Sequence, residues 1–200
     1  MSAPADDRRF GDVPRQAAGL AHRLHWRWLA ERHARPGVVL AVLSLELALM
    51  MVALGAVAVL FHDPFIFPSI GPAAFALSFA ALKPDSAPRN VVCGHAVAIV
   101  AGFIAVALFG MLGQAPDLND LNWARAGASL VAVVLTAIFM LVLRVPHGPA
   151  AATTLIVALG LIGPSHYLDM MGAVVLLVIV AFAWNRFVGL PVPVWASARA

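Results

Sequence analysis

Glu46, His95, His147 and Arg89 are the side chains whose chemistry stands out most against the apolar stretches around them. Glu46 is the only acid well inside a long apolar run, where a bare charge is costly enough that it must be protonated, paired or turned to a polar cavity. It is the candidate for proton coupling; a structural hydrogen bond to another helix, or a place at an oligomer interface, is the other reading. Arg89 and Asn90 open a long apolar segment, and a guanidinium there offers several donors to a planar anion. An arginine that only fixes orientation would stand in the same place. His95, about one turn further in, could share a path with a substrate and titrate with it, or pack as an ordinary hydrogen-bonded histidine. His147 abuts a Gly-Pro pair and could donate to an anion, or lie at the membrane interface near Arg144. Ser69, Thr153 and Thr154 could line a cavity with hydroxyls, although membrane threonines usually bond their own preceding carbonyl. No covalent chemistry follows from this set. No nucleophile, metal set or phosphate-binding loop accompanies Glu46 and His95, so no catalytic residue is assigned and an intramembrane enzyme is the least supported class. The single Cys93 forms neither an intramolecular disulfide nor a metal site, and no metal or cofactor is expected.

Two of these residues sit in a repeated string. Ser69-Ile70-Gly71-Pro72-Ala73-Ala74 and Pro146-His147-Gly148-Pro149-Ala150-Ala151 share Gly-Pro-Ala-Ala, 77 residues apart. Proline suits the first turn of a helix, where its missing N–H costs nothing, and glycine permits a sharp entry. Each copy therefore reads as a helix start. Before the first copy, the prolines of His62-Asp63-Pro64-Phe65-Ile66-Phe67-Pro68 discourage a helix. A helix from Pro72 to Leu82 would rise about 16 Å, roughly half the hydrocarbon thickness. Two such half-helices, entering from opposite sides, would aim their positive ends at one central point, and helix starts of that kind bind anions. Two ordinary tilted helices with small residues at tight packing surfaces are the alternative.

The elements that must carry these residues belong to a membrane protein. Hydrophobic residues make up 62% and charged residues 12% of the chain, against roughly half and a quarter in a soluble domain. Four apolar runs are long enough to cross a bilayer: Val38 to Phe61, Val91 to Leu112, Ala126 to Leu143 and Met170 to Phe187. Two shorter ones, Ile66 to Leu82 and Gly148 to Ile162, begin beside Pro and Gly. The order long, short, long then recurs, and three crossings per unit force the second copy upside down. The expected fold is all-α, with six transmembrane segments as a 3+3 inverted repeat containing two short or broken helices. Residues 1–37 form a basic arm with seven arginines, 38–189 the membrane domain and 190–200 a tail.

Lysine and arginine in short loops mark the cytoplasmic side. With the N-terminus inside, Arg8 through Arg35, Lys83, Arg89, Arg144, Arg186 and Arg199 fall inside; Arg125 falls outside with Asp63, Asp117, Asp120 and Asp169. Trp123 and Trp184 then lie near opposite interfaces. This predicts a multi-pass protein of the bacterial inner membrane, both termini cytoplasmic. The net charge of +3 resides in the arm without stacking aromatics on a soluble fold, which argues against nucleic acid as a partner. Within the arm, Ala17, Leu20, Ala21, Leu24 and Trp28 share a stripe suited to a helix in the inner interface, as an anionic-lipid anchor, a partner-binding arm or a plain orienting leader. Small residues such as Gly102, Gly110 and Gly172 permit close association, so a homo-oligomer is compatible.

Pro68-Ser69-Ile70-Gly71-Pro72-Ala73-Ala74, Lys83-Pro84-Asp85-Ser86-Ala87-Pro88, Pro88-Arg89-Asn90-Val91-Val92-Cys93-Gly94-His95 and His147-Gly148-Pro149-Ala150-Ala151-Ala152-Thr153 resemble the HPP family of membrane proteins. Pro-Arg-Asn-Val-x-x-Gly-His is the most specific of these strings. Here His147-Gly148-Pro149 replaces the His-Pro-Pro of the family name. Plastid and cyanobacterial members are linked to nitrite transport, so the resemblance implies a small-anion transporter or channel, with nitrite the leading candidate. Ser69, Gly71, Pro72, Arg89, Asn90, His95, His147, Gly148, Pro149 and Thr153 frame the expected site. A non-transporting scaffold or sensor is the second class; it predicts that losing residues 1–35 abolishes activity while Arg89 and His147 tolerate alanine.

Overall fold

The computed structural model describes residues 10–114 and 122–196. Arg8, Asp117, Asp120 and Arg199, which the charge argument places on one side or the other, lie outside these. Among the described residues the regular structure is helical throughout: α1 (Val13–Arg23), α2 (Arg27–Arg32), α3 (Pro36–Phe61), α4 (Ile70–Phe79), α5 (Pro88–Leu108), α6 (Trp123–Leu143), α7 (Ala150–Ala158) and α8 (Tyr167–Phe187). Helices α3, α5, α6 and α8 hold 26, 21, 21 and 21 residues. At about 1.5 Å per residue each spans a hydrocarbon core about 30 Å thick. Their outward faces are apolar, as with Leu130, Val134, Ile138 and Leu141 of α6, all well exposed. Lipid is the solvent for such a surface, and the chain is a multi-pass membrane protein.

Local chemistry sets the ends. Prolines occupy the first turns of α3 and α5, where no N–H is missed. Helices α3 and α6 both stop at a left-handed residue, His62 (φ 56°) and Arg144 (φ 53°), each followed by a proline-containing extended stretch. The helices that come next are short: α4 has 10 residues and α7 has 9, rises of about 15 and 14 Å. Each gives way to a proline-started 3-10 turn, Pro84–Ser86 or Pro164–His166, and then to a 21-residue helix.

Contacts between helix ends give the direction of travel. Call the side on which α1 lies the arm side. There Asp12 N–H donates to Phe79 O at the end of α4, and Arg89 at the start of α5 donates to Leu143 and Arg144 carbonyls at the end of α6. Arg125, in the first turn of α6, reaches the Leu159 carbonyl at the end of α7 on the far side. The helices therefore alternate, and α4 ends on the arm side while α7 ends on the far side. Helix α5 packs chiefly on α6, α7 and α8, and α8 chiefly on α3, α4 and α5. The core between them gathers Met50, Leu54, Ile70, Val91, Val157, Met170 and Leu177.

The arm does not form one continuous helix. A turn at Leu24–Trp26, with His25 left-handed (φ 51°), separates α1 from α2. Ala17 and Ala21 of the expected stripe are buried, Leu20 is half-buried, and Leu24 and Trp28 are exposed. Helix α1 packs on the bundle itself: Val13 and Ala17 join Val39, Val42, Ala81, Trp184 and Val188 in one apolar cluster. Trp184 thus lies beneath the arm rather than open to lipid, whereas Trp123 at the other end is fully open.

Candidate functional site

The start of α7 carries the densest polar chemistry of the α5, α6, α7 group. Gly94 on α5 allows it to sit there. A Cβ built on Gly94 would fall 2.7 Å from the His147 Cβ, and one on Gly102 would fall 2.7 Å from the Val157 Cβ. With no side chains at these two positions, α7 rests directly on α5.

His147 is buried, and its Nδ1 lies 2.8 Å from the carbonyl of Asp85 in the loop before α5. That bond fixes the ring from a loop distant in sequence. His95, also buried, sits beside it with ring centroids 5.2 Å apart. Its Nδ1 meets Thr153 Oγ1 at 2.7 Å. Thr154 Oγ1 bonds Thr136 Oγ1 on α6 at 2.8 Å and returns to the Ala150 carbonyl at 3.3 Å. Both histidines keep Nε2 buried and without a hydrogen-bond partner. Buried imidazole nitrogens almost always find a partner, so two together mark a place prepared for a ligand or for water.

Two adjoining cavities meet at His147 and Gly148. The larger, about 490 Å³, is lined toward the arm side by Pro84, Asn90, Arg144 and Pro146. The smaller, about 140 Å³, runs deeper past Ala151, Thr154, Thr136 and Val133. Ala137 and Met140 border both. A nitrite-sized ion fits in either, since one water occupies about 30 Å³.

The structure brings together one part of the sequence-expected set. Asn90, His95, His147, Gly148 and Thr153 lie in or against this region, with Pro149 at the helix start. Asn90 is buried and spends its Nδ2 on the Pro84 carbonyl, 3.0 Å away, holding the loop that holds His147. Arg89 is half-buried, and its guanidinium caps the last carbonyls of α6 at 3.1 and 3.4 Å. Two of its five N–H donors are thereby turned to α6, and Arg89 lines neither cavity. Ser69, Gly71 and Pro72 lie at the start of α4 in the other half and line neither cavity. Ser69 is nonetheless buried with its Oγ unpartnered. The α7 amides are also occupied: Ala150, Ala151 and Ala152 donate to the carbonyls of His147, Gly148 and Pro149. Such tight first-turn bonds are a common way to satisfy the orphan donors of a helix start. The ring nitrogens, rather than backbone N–H groups, are left to meet a ligand.

Sequence reasoning missed Arg144, Met140 and Thr136. In the sequence Arg144 marks only topology, and nothing in the spacing of the other two distinguishes them from packing residues. The other half has its own polar centre. Glu46 is buried and accepts from Asn185 Nδ2 at 3.4 Å; it faces neither lipid nor an oligomer surface. Among the described residues no three His, Cys, Asp or Glu side chains gather to hold a metal.

A family profile, the HPP transmembrane region, matches residues 31–193. The chain belongs to the HPP family. Its HPP region takes in all six helices from α3 to α8, and with them His95, His147 and Glu46. No curated protein and no solved structure matches the chain.

Proposed function

We propose that this HPP protein moves a small inorganic anion across the membrane, with nitrite the leading candidate, and that the ion binds beside His147 and His95 at the start of α7. The observation that carries this reading is the pair of buried imidazoles, each with an unpartnered nitrogen, of which His147 lines two adjoining cavities and His95 packs behind it in an apolar bundle. The Asp85 carbonyl can only accept, so His147 Nδ1 carries the proton of the neutral ring and its Nε2 donates to an anion only as imidazolium, whereas His95 Nε2–H donates when its Nδ1 accepts from the Thr153 hydroxyl; the amino end of α7 adds its dipole. Arg144 at the rim of the larger cavity attracts negative charge from the arm side.

We further read the bundle as a 3+3 inverted repeat. Its support is the matched order of long helix, left-handed stop, short helix, 3-10 turn and 21-residue helix in each half. The exchange of third helices also supports it, since α5 packs on α6 and α7 while α8 packs on α3 and α4. Under this plan the arm side is cytoplasmic, because the arginine-rich arm, Lys83, Arg89, Arg144 and Arg186 all belong to it. The two short helices then belong to separate half-sites, each resting on the third helix of the opposite repeat.

Uptake of nitrite and a panel of other small anions into proteoliposomes tests the proposal. Selective, saturable uptake of one anion class is expected. Flux no greater than in empty liposomes for every anion would refute it and favour a scaffold or sensor.

A further inference from the structure

The second buried polar centre has no part in the anion reading, and one of its walls comes from outside the transmembrane helices. Glu46 of α3 accepts from Asn185 Nδ2 of α8, and Asn185 also donates to its own Ala181 carbonyl at 2.9 Å. Gln16, on arm helix α1, donates through Nε2 to Asn185 Oδ1 at 3.1 Å and to the Ser78 carbonyl of α4 at 3.2 Å. All four side chains are buried, with Gln16, Glu46 and Ser78 at 0% exposure. The Ser78 and Gln16 side chains face the same carboxyl group.

Three oxygens of this cluster have no partner: Glu46 Oε2, Gln16 Oε1 and Ser78 Oγ. Ser78 brings one hydrogen of its own. If Glu46 is ionised, that hydroxyl can serve one oxygen, leaving the other unsatisfied and a negative charge uncompensated in an apolar setting. One added proton closes the account, with Glu46 O–H donating to Gln16 Oε1 and Ser78 O–H donating to the carboxyl.

No other charge competes for the role. Among the described residues α1, α4 and α8 present only Gln16, Ser78 and Asn185 to Glu46. Asp12 of the arm accepts from Leu82 N–H and pairs with Arg15, and Arg186 lies over the Phe182 ring. Helix α1 covers the cluster by close backbone approach. A Cβ on Gly19 would stand 1.7 Å from the Val188 carbonyl oxygen, and one on Gly11 would stand 2.0 Å from that of Phe79.

We propose that Glu46, Ser78, Asn185 and Gln16 form a proton-binding site, separate from the anion site, that α1 closes toward the arm side. The proton binds at Glu46 Oε2, converting carboxylate to carboxylic acid, and leaves by the same atom when α1 lifts.

Infrared spectroscopy of the full-length protein in liposomes tests this without reference to transport. The sequence holds only two glutamates, Glu31 and Glu46, so isotope-labelled glutamate assigns the signal in unmutated protein. The expected result is one labelled carboxylic-acid band at neutral pH, absent in Glu46→Gln and slow to shift in heavy water. Gln16→Leu or Gly19→Val should speed that shift by roughly thirtyfold, the effect of losing about two buried hydrogen bonds or the close seat of α1. Labelled glutamate found wholly ionised at neutral pH would overturn the proton site. So would loss of the acid band on adding sodium, which would make the site a sodium site. Unchanged exchange in both arm variants would overturn the closure by α1.

Discussion

His147 illustrates how few residues hold the proposed anion site. Its ring is fixed by a backbone carbonyl of a distant loop, and its Nε2 is left free. Replacing it by alanine removes the imidazolium donor to the anion, the bond to the Asp85 carbonyl and the ring contact with His95 of α5. His147→Ala is expected to weaken nitrite uptake by about tenfold or more in apparent affinity, the worth of one hydrogen bond to a charge. Uptake kinetics of the variant in proteoliposomes measure this, and an unchanged affinity would remove His147 from the site. Arg89 should behave differently. Its guanidinium caps α6, so Arg89→Ala is expected to cost about 1 kcal/mol of stability, read as a lowered thermal midpoint, with anion affinity unaltered. The sequence alone left Arg89 between anion binding and fixing orientation; the reach of its side chain to the Leu143 and Arg144 carbonyls adds a capping contact that no spacing showed.

At the scale of the helices, the seat of α7 on α5 depends on absent side chains. Gly94→Ala places a methyl group against the His147 Cβ and is expected to cost about 1 to 3 kcal/mol, with a matching loss of uptake as the ring shifts. Gly148→Ala meets nothing within 4 Å and should change stability little. Thermal unfolding and uptake of the two variants side by side check the contrast. Much of this layer was legible beforehand. Four long apolar runs, two short ones and the Gly-Pro starts all correspond to helices within a few residues, because hydrophobic length and proline placement act locally. The arm was less legible. Its stripe of Ala17, Leu20, Ala21, Leu24 and Trp28 has helical spacing, but spacing does not say whether lipid or protein covers it. Gly11 and Gly19, which let α1 approach two carbonyls, are invisible without the partner chain segments.

For the whole molecule, the inverted plan makes α4 and α7 end on opposite sides. Single cysteines at Phe79 and Leu159, in a background with Cys93→Ser, should react with an impermeant thiol reagent from opposite faces of oriented vesicles. Labelling of both from one face would contradict the plan. The repeated Gly-Pro-Ala-Ala string pointed to two equivalent helix starts, yet it could not say that α7 would rest on α5 and α4 on α8. That packing is long-range, set by residues such as Gly94, Gly102 and Leu177, and no local pattern encodes it. It is also why Ser69, Gly71 and Pro72 line neither cavity at His147. The account's central claim is that a small anion binds beside the paired imidazoles at the start of α7. Anomalous scattering from bromide-soaked crystals locates such an ion directly. The account predicts a peak within hydrogen-bonding distance of His147 Nε2 that nitrite displaces. Bromide found only on the arginines of the arm, or unmoved by nitrite, would contradict it.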